Sequence, residues 1–289
     1  RIPVSEYYKN SEKAFVIPGL SDGMTHQGLA YDSENDTFLI TGYRSDGNAS
    51  QVSVVSKADG KEVKRLNLAN EDGSAFTGHV GGITVYGKYV YVADTDGLYA
   101  FNRSDIVDAA DGGSIKAVGL FKTSAAGDTL GVAFTHVEGD MIYVGEFYRE
   151  ENYPTPDSHK YKTAAGDDNT ALILAYKLDA AAPLGISDKI ERAYSARGLV
   201  QGMCFDGDGR IYLSTSYAVA FSHVYIYDAT KEEGTVTVLG QTVPRYVLDS
   251  STQKGDIKLA PMSEEIVIVD GKLYTMCESA TNKYIFGKF

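Results

Sequence analysis

The sequence predicts an all-β chain folded as a single five-bladed β-propeller, and three observations predict it. The palette favours strands and turns, with 21 Tyr, 11 Phe and 30 Gly among 289 residues. Apolar alternation runs at period two almost throughout, the mark of half-buried strands. One strand–turn–strand signature also returns five times. At 43% hydrophobic and 23% charged, the composition is that of an ordinary globular chain. A chain this long buries roughly 75% of its unfolded surface without disulfide or metal staples.

The first copy of the signature is Gln27-Gly28-Leu29-Ala30-Tyr31-Asp32, turning at Asn35-Asp36 into Phe38-Leu39-Ile40. The second is Gly81-Gly82-Ile83-Thr84-Val85, turning at Gly87-Lys88 into Tyr89-Val90-Tyr91-Val92. Leu130-Gly131-Val132-Ala133-Phe134 opens a third and Gln201-Gly202-Met203-Cys204-Phe205 a fourth. Glu264-Glu265-Ile266-Val267-Ile268 opens the last, leading through Asp270-Gly271 into Leu273-Tyr274-Thr275. On this reading Gly28, Gly82, Gly131, Gly202 and Glu265 are equivalent. Further alternating segments follow each copy, such as 51–55 and 62–66, and four antiparallel strands per repeat make a propeller blade. The expectation is one domain over 1–289, with blades starting near residues 26, 80, 129, 200 and 263. The fifth copy runs out of chain near Phe289, so the segment 13–17 is expected to supply its outer strand and close the ring. Only 104–110 reads as helix, with Ser104 as its cap. A polar stretch with Pro154 and Pro156 interrupts blade three from Tyr148 to Thr170, and is expected to overhang the channel entrance as a lid.

Entry ends of the inner strands and far ends of the second strands surround one mouth of such a ring. They bring together His26, Gln27, His79, Gln201 and Glu264 with Arg44, Asp94, Glu146 and Glu278, while Tyr148 and His159 come from the insertion. Polar groups converging on a concave mouth make a ligand site. The alternative for His26 and His79 is a hydrogen bond to the entering backbone, and for Gln27 and Gln201 a structural bridge between blades. Arg44 either pairs with an acid or grips an anion. Glu264-Glu265 stands where the other copies have a small residue, and a carboxylate near the axis is costly unless it is paired or metal-bound. His136 is expected in a turn on the opposite side. No cofactor motif is evident; calcium is the cation that three or more such oxygens would hold.

Several classes are excluded. A net charge of −12 disfavours a sequence-independent nucleic-acid binder. No apolar run reaches the 18 or more residues of a membrane span. Cys204 and Cys277 lie in separate apolar strands and read as small buried hydrophobes. The chain begins at Arg1 rather than Met, so a removed secretion signal and an extracellular or cell-envelope location are expected. There is no Gly-x-Ser-x-Gly elbow, phosphate-binding loop or His-Glu-x-x-His helix.

The stretch Thr25-His26-Gln27-Gly28-Leu29-Ala30-Tyr31-Asp32, followed by Thr41-Gly42-Tyr43, resembles the plant-type glutaminyl cyclases (glutamine cyclotransferases). Those resemble five-bladed rings and carry a Gln-Gly-Leu entry and a Thr-Gly turn. The run from Ser263 to Tyr274 is similar to their final blade. The resemblance implies an axial site but not the cyclisation. The family's catalytic Glu falls just before the blade-one turn, where this chain has Phe38-Leu39-Ile40, and its Trp-rich pocket has no counterpart in a chain without Trp. YVTN and NHL-type propellers share the strand pattern, and fold does not decide function.

Three readings follow. The first is a binding module for a small polar molecule or ion. The second is a hydrolase, lyase or cyclotransferase-like enzyme using axial carboxylates and His. The third is a scaffold that meets a protein partner on its broad face.

Overall fold

The computed structural model describes residue 9, residues 11–277 and the backbone of 284–288. Strand β1 (Glu12–Val16) leads into a first antiparallel meander, β2 (Met24–Asp32), β3 (Thr37–Arg44), β4 (Gln51–Ser56) and β5 (Glu62–Ala69). A second contains β6 (Gly82–Tyr86), β7 (Tyr89–Asp94), β8 (Gly97–Asn102) and β9 (Ser114–Lys122). Between its last two strands sits helix α1 (Arg103–Asp108), whose N-cap residue is Asn102, without a side-chain cap bond, rather than Ser104. A small hairpin, β10 (Ser124–Ala125) and β11 (Asp128–Thr129), precedes the third meander. That unit has β12 (Phe134–Glu138) and β13 (Met141–Gly145), then the hairpin β14 (Tyr161–Lys162) and β15 (Asp168–Asn169), then β16 (Ala171–Leu178) and β17 (Ile186–Ala196).

The fourth meander is β18 (Val200–Phe205), β19 (Ile211–Thr215) and β20 (Ser222–Tyr227), completed by β23 (Gln253–Leu259) after an inserted hairpin, β21 (Glu232–Val238) and β22 (Gln241–Val247). The last is β24 (Ser263–Val269), β25 (Lys272–Cys277) and β26 (Tyr284–Lys288), with β1 pairing antiparallel to β26. The N-terminal strand thus completes the C-terminal sheet, as 13–17 was expected to do. Alternation explains the seating of β1. Phe15 turns inward among Phe38 and Tyr274, while its neighbour Val16 stays 54% exposed.

The fold is all-β, and the first strands touch in a closed cycle: β2 to β6, β12, β18, β24 and back to β2. Apolar clusters fill the seams between neighbouring sheets, the largest running from Tyr91 and Leu98 through Ile142 and Leu174. Two seams are also sewn by backbone. The outer edges β5 and β9 pair parallel, Asn67 opposite Ser114, and β22 pairs parallel with β17, Tyr194 opposite Tyr246. His136 lies within β12, not in a turn, and bonds Glu138. Cys204 and Cys277 are both buried, and the Cys277 thiol donates to the Ala260 carbonyl (3.7 Å).

At the axis the structure shifts one equivalence. The Glu265 carboxylate, 1% exposed, accepts N–H bonds from Leu29 (3.0 Å), Ile83 (2.9 Å) and Thr135 (3.0 Å), on three different first strands. The counterpart of Gly28 and Gly82 in the third unit is therefore Phe134, the residue before Thr135, and not Gly131. A glycine is required at 82 because any Cβ there would collide with the Glu265 carboxylate. Glu265 is a tie between strands, which accounts for an acid at a position otherwise held by small or apolar residues.

Candidate functional site

Three bulges aim side chains at the mouth. In β2 the register passes from His26 to Gly28 and leaves Gln27 unmatched; in β18 it passes from Val200 to Gly202 and leaves Gln201. In β24 it jumps from Ser263 to Ile266 across Glu264 and Glu265. A bulge inserts an extra residue and redirects it out of the ladder. The equivalent residues in the other two units are Gly81 and Ala133, and Gln27, Gly81, Ala133, Gln201 and Glu264 all line one cavity of about 680 Å³.

The cavity is lopsided. Gly81 and Ala133 leave room over the second and third units, and the second strands of those same units end in Asp94 and Glu146, which form the wall there. Burial pushes the carboxyls of both Asp94 and Glu146 up from the usual range. Asp94 accepts the backbone N–H of His79 (3.2 Å), whose ring stands edge-on to Tyr43. Glu146 accepts the N–H of Leu172 (2.9 Å). Glu264, 3% exposed, lines the cavity, and Tyr43, Phe147, Tyr153 and Tyr217 supply aromatic surface. Three residues at the strand entries, Val80, Leu199 and Met262, hold left-handed φ of 50°, 66° and 66°, strain of the kind that concentrates around functional loops.

Of the residues singled out from sequence, Gln27, His79, Asp94, Glu146, Gln201 and Glu264 line the cavity. His26 does not: it is buried and its ring donates to the Pro18 carbonyl (2.5 Å), which is the backbone role weighed for it, and burial lowers its pKa. Arg44 also lies elsewhere, paired with Asp46 (2.7 Å) on the surface. Tyr148, whose ring faces the Lys160 ammonium, borders a second depression of about 400 Å³ shared with Arg149, Arg197 and Tyr217. His159 is buried behind the wall, between Glu146 and Asp128. Glu278 lies outside the described residues.

The insertion divides in two. Arg149 and residues 153–156 line the cavity, whereas 161–164 packs on the β21–β22 hairpin, where Glu233 accepts from the Tyr161 hydroxyl (2.9 Å) and the Ala164 N–H (3.0 Å). Arg149 and Tyr153 were not among the sequence candidates. Their only signal was membership of a polar, proline-bearing stretch. Among the described residues, no group of three or more His, Cys, Asp or Glu is arranged to hold a metal ion. None of the described helices is long and apolar enough to cross a membrane.

No family profile and no curated protein sequence matches the chain. Solved structures with a similar course of chain include glutaminyl cyclase from Myxococcus xanthus, at 10% identity and TM-score 0.48, covering 96% of this chain and 94% of that one. The PQQ-bound aldose sugar dehydrogenase from Streptomyces coelicolor has 12% identity, TM-score 0.47 and coverage of 96% and 95%. Regucalcin, a calcium-binding protein from Agrobacterium tumefaciens, has 10% identity, TM-score 0.44 and coverage of 92% and 90%.

Proposed function

We propose that the chain is a five-bladed propeller, each four-stranded meander one blade, that binds a small cationic or polyhydroxylated molecule in the 680 Å³ cavity at its axial mouth. The observation that carries this reading is the convergence of Asp94, Glu146 and Glu264 with the amides of Gln27 and Gln201 on one cavity faced with aromatic rings. Carboxylates and amides accept hydrogen bonds from ammonium and hydroxyl groups, and the rings cover the apolar faces of amines and sugars. Among the described lining residues Arg149 is the one arginine or lysine, so the described wall carries more potential negative than positive charge. An extracellular or cell-envelope location belongs to the same proposal, and fractionation of the source cells checks it.

A specific observation favours an enzymatic second reading. Asp94 and Glu146 come from equivalent strand ends, both are pushed up by burial, and both face the cavity. Carboxyls raised in this way suit proton transfer.

The test is thermal melting with putrescine, choline, glucosamine and myo-inositol at millimolar concentration. A bound amine or polyol raises Tm by about 2–5 °C when present at roughly ten times its dissociation constant. The shift disappears in Glu264→Gln and in a cavity-filling Thr129→Trp variant. Melting curves unmoved by every probe, or a shift that survives both variants, overturn the assignment. Turnover of a bound probe, detected by mass spectrometry, selects the enzyme reading.

A further inference from the structure

The cluster His159, Glu146 and Asp128 joins the insertion, the end of β13 and the β10–β11 hairpin. His159 ends the short 3-10 turn Asp157–His159 inside the insertion, and its side chain is 0% exposed. Its Nδ1 lies 2.9 and 3.1 Å from the two oxygens of Glu146, in the cavity wall. Its Nε2 lies 2.8 Å from Asp128 Oδ1. Both acids are themselves held: Glu146 Oε1 accepts the Leu172 N–H, and Asp128 Oδ2 accepts the Leu239 N–H (2.9 Å) from the turn between β21 and β22.

A neutral imidazole has one N–H. Set between two carboxylates at these distances, it would turn a lone pair toward an oxygen. With both nitrogens protonated, both contacts become charge-assisted hydrogen bonds. We propose that His159 is a positioning residue of the cavity: as an imidazolium it fixes the Glu146 carboxylate in the wall and pins the 148–170 insertion over the mouth. The proposal deepens the binding reading and rests on it for the meaning of the wall, but its test needs no ligand.

Burial alone would lower the His159 pKa; the hydrogen bond and charge of Glu146, and then Asp128, outweigh burial and hold it above the ordinary histidine value. Other charges stand nearby on the packed elements. Glu232 and Glu233 are on β21, which packs against the turn, and Glu233 is already engaged by Tyr161 and Ala164. Asp157 and Lys160 flank His159 on the turn and pair with each other. As pH rises through the His159 titration, the imidazolium loses the proton that one contact requires, and the insertion comes away from the wall.

The experiment uses the full chain labelled with ¹⁵N-histidine, titrated by NMR from pH 5 to 10, with His159→Gln identifying the signal. His159 is expected to keep both ring protons at pH values where an ordinary histidine has lost one. The chain has no Trp, so Tyr153→Trp in the insertion gives a single reporter. Acrylamide quenching of that Trp is expected to rise about twofold or more as His159 deprotonates, and to be high at every pH when His159→Gln is added, as for a locally opened segment. If His159→Gln does not fold, Asp128→Asn serves: removing one facing charge lowers the His159 midpoint by about one unit. A neutral His159 at pH 7, quenching indifferent to its titration, or an unchanged midpoint in Asp128→Asn overturns the proposal.

Discussion

Replacing Glu265 by Gln tests the axis most sharply, because the change alters one atom. Oε1 accepts two N–H groups, from Leu29 and Ile83, and Oε2 accepts one, from Thr135. A glutamine can keep its oxygen on the first pair, but its NH₂ then faces the Thr135 N–H, donor against donor. Whether the native acid is ionised or protonated, an oxygen there can accept and a nitrogen cannot. A buried donor left unsatisfied costs about 1–3 kcal/mol, and the new NH₂ is a second such donor, giving a loss of about 2–5 kcal/mol. Glu265→Ala strands three N–H groups and costs more, a large share of the 5–15 kcal/mol by which typical proteins are stable. Burial holds the Glu265 carboxyl well above the usual range, against the pull of its three donors. The folded protein therefore binds that proton more tightly than the unfolded chain does. The resulting stabilisation is full below about pH 4.3 and is lost as pH rises through the folded pKa. Glutamine has no such dependence, so the gap between the two proteins is widest near pH 4.5 and narrows toward pH 8. Urea unfolding followed by far-UV circular dichroism, with equal slopes for the two proteins, reads the difference. A variant within about 0.5 kcal/mol of the native protein at pH 4.5 to 5, or a gap that widens with pH, refutes the reasoning.

Three further outcomes are expected. Phe15→Ala removes the inward ring of β1 from contact with Phe38 and costs about 3–5 kcal/mol, with hydrogen exchange in β25 and β26 accelerated before that in β7. Arg103→Leu leaves the buried Asp32 without its guanidinium partner, a loss of about 3 kcal/mol in urea unfolding at pH 7. Arg103 and Asn35 together hold Asp32 below the usual carboxylate range despite its burial, so that stabilisation is present above about pH 4 and fades as pH falls, taking the difference with it. Asp94→Asn removes a carboxyl that burial disfavours. Its stability stays within about 1 kcal/mol of native and compares better at pH 7 than at pH 4, while the ligand-induced Tm shift falls.

The all-β character and the pairing of 13–17 with the C-terminal sheet were legible because each rests on local alternation and turn chemistry. So was the kinship of Gln27 and Gln201, since a repeated signature marks equivalent backbone positions. The third unit misled: Leu130-Gly131-Val132-Ala133 imitates the glycine-led entry, yet the chain is still approaching the axis there. Phe134 takes the place instead, its ring lying over Gly145. The β21–β22 hairpin went unread because nothing local announces that its partner is β17 in another sheet. Arg44 read as a mouth residue by position alone, and a nearby Asp46 was enough to turn it outward. The His159 cluster was invisible for a different reason. Its bonds span 13 and 31 residues and depend on how the insertion folds back.

The two parallel pairings, β5 with β9 and β17 with β22, have a mechanical meaning. They fuse the first and second sheets into one plate, and add to the third a hairpin that is inserted, in chain order, within the fourth. Between these plates the ring has no such outer-edge seam among the described residues, and packed side chains carry most of the contact. Asp94 stands on one plate and Glu146 on the other. The cavity thus lies over the seam between the two plates, with one burial-raised carboxyl on each side of it.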